Sequence, residues 1–237
     1  MLLHGFGGTA RHWDRVVALT DPERYSPVAI ELSDARPLSR AGVLDLVAAV
    51  DAERFVLCGY SMGGRVALHV AAAMADRVSR LVLVSSGAGI EDERARLARA
   101  AADEVLARSI ENGSIEEFVA RWRRTALFAG DPEWVHEEIA ADQRRLTPAQ
   151  VAATLRAYGP GVLAPLWGNL GELTMPTVIL VGARDATYRE IGDRLFYELP
   201  HARLQAIRGV GHRVALEAPR IVVSAFAPPA PASLAWF

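Results

Sequence analysis

Lysine is missing altogether from the 237 residues, so every one of the 26 basic side chains is an arginine. With so much alanine beside it, this bias reads as coding composition rather than as a surface built to read phosphate, and no function is assigned to it. Cysteine is nearly absent too. The single Cys58 cannot form an intrachain disulfide, and its place in an apolar run makes it a small buried hydrophobe. Long hydrophobic runs are lacking: none reaches the roughly 18 to 20 residues of a membrane span. The N-terminus also lacks the basic-then-apolar layout of a signal peptide, so a cytoplasmic protein with no membrane partner is expected. Excess charge of either sign is missing as well. Against 28 acidic residues the arginines leave a net charge of −2, which removes the electrostatic footprint of a general nucleic-acid binder.

What is present is a globular composition, 51% apolar and 23% charged, in a length that suits one α/β domain carrying an insertion. Arg54 to Cys58, Leu81 to Ser85 and Thr177 to Val181 are apolar runs without clean alternation, as strands buried on both faces should be. A parallel sheet needs helical crossovers, and Gly64 to Met74 and Arg189 to Leu199 have the length and apolar content for them. Between Ile90 and Gly168 the strand signal vanishes and helix starts follow one another. Ser114 with Glu117 forms a capping box, Asp131 precedes Pro132, and Thr147 precedes Pro148. Three parts are expected: a core segment over 1–89, a helical cap over 90–168, and a second core segment over 169–237. A strand near Ala202 to Ile207 and a helix near Ile221 to Phe226 close the fold, followed by a loosely ordered Pro/Ala-rich tail from Ala227.

Gly59, Tyr60, Ser61, Met62 and Gly63 spell G-x-S-x-G between a strand-like and a helix-like run, the setting of a strained turn that lifts a serine hydroxyl clear of the sheet. Such a hydroxyl is a poor nucleophile or base until a histidine takes its proton, and that histidine needs a carboxylate to hold its tautomer. Asp185 follows the strand Thr177 to Val181, and His212 sits in the glycine-rich loop Gly209 to His212. His12, His69, His136 and His201 lack such a loop and read as ordinary solvated or packed residues, and none has metal-ligand spacing. His4, Gly5, Phe6, Gly7 and Gly8 follow a very short strand, so Phe6 is the candidate for one oxyanion-binding N–H and Met62 for the other.

The HGF and GYSMGG motifs, the Asp after a strand and the late Gly-His together make the chain resemble the α/β-hydrolase superfamily over nearly its whole length. This resemblance implies a mostly parallel sheet flanked by helices, with an inserted cap; against it the N-terminus reads as shortened, through a start assigned late or a compact version of the fold. Through GYSMGGR it is most similar to the 2-succinyl-6-hydroxy-2,4-cyclohexadiene-1-carboxylate synthases of menaquinone biosynthesis, lyases that remove pyruvate without a cofactor. The resemblance extends over the Arg-rich stretch Glu91 to Asp103 and the F-x-x-x-W stretch Phe118 to Trp122. It implies Tyr60, Arg65, Arg99, Trp122 and Arg145 as substrate-binding residues, with Arg144 an alternative to Arg145. It further implies no cofactor and an anionic small-molecule substrate.

Physical reasoning on the residues is compatible, because arginine forks bind carboxylates bidentately. Arg99 borders the apolar stripe through Leu97, Ala101 and Val105, which is expected to face inward. Trp122 with Phe118 fits helix packing equally well. Two departures stand out. Glu31, Leu32, Ser33, Asp34, Ala35 and Arg36 occupy the place of the family's D-x-P-G-H-G loop, and the chain starts at the oxyanion strand, leaving a sheet edge exposed. Alternatives therefore stay open: a carboxylesterase or C–C bond hydrolase acting through an acyl-enzyme on Ser61, or a ligand-binding receptor with an idle triad.

Overall fold

The computed structural model describes residues 1–33 and 40–227. In chain order the elements are β1 (Leu2–Leu3), α1 (Asp14–Ala18), β2 (Ala29–Ile30), α2 (Arg40–Ala48), β3 (Phe55–Tyr60), α3 (Met62–Ala73) and β4 (Val78–Val84). There follow α4 (Glu93–Glu111), α5 (Ile115–Arg123), α6 (Glu133–Gln143) and α7 (Pro148–Tyr158). The chain then returns to the sheet through β5 (Thr177–Gly182), α8 (Ala186–Glu198), β6 (Ala202–Ile207), α9 (Val214–Glu217) and α10 (Pro219–Ser224).

All pairings are parallel, in the order β2-β1-β3-β4-β5-β6. The central strands are buried on both faces, which is why they read as unbroken apolar runs. Successive side chains feed two different cores. Leu57, Leu81, Leu83 and Ile179 pack with Val66 and Val70 of α3 and Leu195 of α8. Cys58, Val82, Val84 and Leu180 pack on the other face with Trp13, Val214 of α9 and Val222 of α10. Parallel strands all end at one edge of the sheet, so the loops after β1, β3, β5 and β6 converge there. Among the described residues β2 is an edge strand only two residues long, too short to offer an extended pairing template.

Four helices, α4 to α7, separate β4 from β5. We treat 90–168 as a cap. Its starts match the local chemistry in two cases: Ser114 and Glu117 form a reciprocal capping box on α5, and Thr147 with Gln150 forms another on α7. Asp131 is a correction. It does not cap α6, whose N-cap is Pro132; its carboxylate turns to the core and pairs with Arg213 instead. The inward stripe on α4 is another. Leu97 and Val105 are exposed, and the buried side runs through Asp103, Ala107 and Ile110, where α4 packs on Ala152 and Leu155 of α7. Asp34, Ala35 and Arg36, and the tail from residue 228, lie outside the described residues.

Candidate active site

At the β3–α3 junction Ser61 adopts φ 51° and ψ −110°, a left-handed conformation that L-residues rarely take. Surroundings hold it there: Ser61 N–H donates to the Val84 carbonyl at 2.9 Å, and the Ser86 hydroxyl donates to the Ser61 carbonyl at 2.7 Å. Glycine is required on either side. A Cβ on Gly59 would overlap the Gly63 carbonyl, and one on Gly63 would overlap the Leu3 carbonyl.

Asp185 stands at the end of β5 as the N-cap of α8, where it accepts from the Tyr188 N–H at 3.1 Å. Its other oxygen lies 2.6 Å from His212 Nδ1, and His212 Nε2 lies 3.1 Å from the Ser61 hydroxyl. Ser61, His212 and Asp185 thus form one hydrogen-bonded chain. Burial pushes the His212 imidazole below its ordinary pKa, partly offset by Asp185. A neutral ring donating from Nδ1 to the carboxylate leaves Nε2 free to accept the serine proton. Rings of Tyr188, Tyr60 and Phe128 surround it at 4.5, 5.4 and 5.7 Å.

Ser61 faces a cavity of about 550 Å³ between the sheet edge and the cap. Phe6, Tyr60, Met62, Arg65, Arg99 and Trp122 all line it. Met62 opens α3, where an N–H has no intrahelical acceptor. The loop carrying Phe6 is braced from below: His4 Nε2 meets Glu31 at 2.9 Å, and Glu31 also accepts from the Ala10 and Ser33 N–H groups, both at 3.0 Å. Burial raises the Glu31 pKa, but these partners outweigh it and bring it to about 2. From above, the Phe6 ring meets Trp122 edge-on at 5.0 Å. Trp122 therefore both packs and lines the cavity.

Arg65 is partly buried, desolvation lowers its pKa, and it hydrogen-bonds Tyr188. Arg99 pairs with Asp103 at 2.8 Å and stays half exposed at the cavity rim. Arg145 is a correction: it is exposed and does not line the cavity. Arg144 also turns outward, to Glu116 at 2.8 Å. The last residue of α6 presents itself instead: Gln143 is buried against the cavity.

Sequence reasoning missed Gln143, Tyr188, Arg194, Arg213 and His12 in the cavity wall. Of the two readings of His12, solvated or packed, it takes the second: it is buried and stacks on Tyr60 at 4.6 Å, with burial lowering its pKa to about 3, and what the sequence did not show is its place in the cavity wall. Adjacency to His212 was the one available signal for Arg213. Among the described residues no cluster of His, Cys, Asp and Glu has the makings of a metal site, and no helix is long and apolar enough to cross a membrane.

A parallel sheet with a strained serine after its third strand and an Asp and a His on later loops defines a class, and comparison with known families agrees. The chain belongs to the alpha/beta hydrolase family, whose model matches residues 1–225. Among curated proteins it is 28% identical to a 2-succinyl-6-hydroxy-2,4-cyclohexadiene-1-carboxylate synthase from Klebsiella pneumoniae, covering 96% of this chain and 91% of that one. A provisionally named synthase of the same kind from Bacillus subtilis is 29% identical over 94% of this chain and 88% of its own. The solved structure of MenH from S. aureus superposes with a TM-score of 0.79 at 27% identity, covering 94% of this chain and 89% of that one. An esterase from Thermogutta terrifontis, solved with malate bound, gives 0.67 at 25% identity, covering 94% of this chain and 86% of that one. This is an enzyme of the hydrolase or synthase kind, and its relatives imply a small-molecule substrate.

Proposed function

We propose that the protein eliminates pyruvate from a polycarboxylate cyclohexene intermediate of menaquinone biosynthesis, with Ser61 and His212 as the proton-transfer pair. The carrying observation is the Ser61–His212–Asp185 chain opening onto a cavity walled by Arg65, Arg99, Arg194 and Arg213. Kinship to the synthases supports the same reading. His212 draws the proton from Ser61, and the resulting oxyanion takes a proton from a substrate carbon. That C–H electron pair becomes a C=C bond as the bond to the departing pyruvate enolate breaks, and the proton on His212 is available to the leaving group. N–H groups of Phe6 and Met62 hold the negative charge that develops on the substrate, and the arginines align its carboxylates.

The test is pyruvate release from the pathway intermediate, beside hydrolysis of short acyl p-nitrophenyl esters. Pyruvate release that Ser61→Ala abolishes is the expected result. Fast ester turnover without pyruvate would instead establish the second reading, a carboxylesterase or C–C bond hydrolase. That reading is favoured by the likeness to the esterase and by Ser61 sharing the cavity with Phe6 and Met62, the candidate oxyanion donors.

A further inference from the structure

Buried nitrogens without partners are costly, because a desolvated donor gives up its water and gains nothing. Five side-chain nitrogens are in this condition among the described residues, and four of them belong to cavity residues: His12 Nε2, Arg65 Nε, Gln143 Nε2 and Arg213 Nη1. They fall into two groups. Arg65 associates with Tyr188, Arg99 and Asp103. Arg213 hydrogen-bonds Tyr60 and feels the Asp131 and Glu217 carboxylates, and Tyr60 carries His12 on its face. We propose that Arg213, with Tyr60 and His12, forms a second anion-holding pole of the cavity, which seats one carboxylate of the substrate while the Arg65 and Arg99 group holds another.

Several features fit Arg213 for this and distinguish it from a surface arginine. Its side chain is only 2% exposed. Its guanidinium lies 4.1 Å over the Phe128 ring, which fixes the plane of the fork. Asp131 approaches Nε at 3.1 Å and orients it without occupying Nη1. Tyr60 is held protonated by burial and can donate alongside it. His12, kept neutral, adds no charge next to the guanidinium and leaves its Nε2 without a partner. Ser61 and His212 border both groups, so a dicarboxylate bridging them would lie across the reacting hydroxyl. This inference rests on the proposed function for the identity of the substrate but not for the chemistry of the pole.

The test reads occupancy without requiring turnover. Ser61 is labelled with a fluorophosphonate probe in the presence of 2-succinylbenzoate, which has two carboxylates, or 4-oxo-4-phenylbutanoate, which has one. Trp122 fluorescence titrated with the same acids gives a second readout. Arg213→Met is expected to weaken protection by the dicarboxylate about tenfold or more, the scale of one lost charge-assisted hydrogen bond, and protection by the monocarboxylate far less. Arg213→Lys should fall between, and Asp131→Asn should keep most of the discrimination. Equal losses for both acids in Arg213→Met and Asp131→Asn, tracking a fall in Tm, would reduce Arg213 to a tie between cap and core and overturn the proposal. So would a wild-type protein that the dicarboxylate fails to protect. If Arg213→Met does not fold, Arg213→Lys and Asp131→Asn carry the comparison. A wild-type protein that releases no pyruvate but is protected by the dicarboxylate, with that protection lost in Arg213→Met, would sink the lyase reading and leave the pole standing; pyruvate release by the wild type with protection intact in Arg213→Met would do the reverse.

Discussion

Two side chains, Ser61 and His212, set the residue-scale expectations. Removing either hydroxyl or imidazole should lower kcat by about three orders of magnitude or more while the fold persists, measured on whichever substrate proves active. His212 must be neutral to accept a proton, and burial moves its pKa below the ordinary 6.5. The kcat/KM profile should therefore rise with pH through a midpoint below 6.5. Arg213 is one of the charges depressing His212, so Arg213→Met should move that acid limb upward; an unmoved limb would show that the two do not interact. Ser61, Asp185 and His212 were legible in the sequence because each sits in a turn with its own glycine or strand-end signature. Arg145 was misplaced for the opposite reason. Neighbours at the end of a helix point about 100° apart, and only packing decides which of Gln143, Arg144 and Arg145 turns inward.

Local chemistry predicts most of the elements, and substitutions there should act on stability first. Thr147 caps α7 and accepts from the Gln150 N–H at 3.2 Å, so Thr147→Ala should cost about 1 kcal/mol in denaturant unfolding. Gly63→Ala drives a methyl group into the Leu3 carbonyl and should cost about 1–3 kcal/mol, together with activity, because relieving the overlap shifts the loop that leads to Phe6. Runs dominated by apolar residues made β3, β4 and β5 easy to read. The buried side of α4 was not legible, since Leu97 and Val105 face water while the charged Asp103 is buried beside Arg99. Asp131 was read as a cap because its place before Pro132 suits one, yet a buried guanidinium 3.1 Å away is the better partner.

For the whole molecule, the cap is tied to the core at several places. Asp142, at the end of α6, accepts from the Thr9 N–H at 2.9 Å and the Thr9 hydroxyl at 2.5 Å, and Arg15 on α1 pairs with Glu138 at 2.6 Å. Asp142→Ala should cost about 1.5–3 kcal/mol and speed amide exchange in both the Phe6 loop and α6, as read by mass spectrometry. Acid should weaken the fold through His12. Its folded pKa of about 3 lies below its unfolded value, so the stability it contributes is complete above pH 6.5 and is lost as pH falls toward 3. His12→Asn should flatten that part of the stability profile. These ties were not legible in the sequence, because neither Thr9 with Asp142 nor Arg15 with Glu138 carries a motif of its own. The polar side chains lining the cavity come from both sides of this joint, His12, Arg65 and Arg213 from the floor and Arg99 and Gln143 from the roof. An occupant that satisfies both sets acts as mortar between two masonry courses, so filling the chamber and stiffening the protein are a single event.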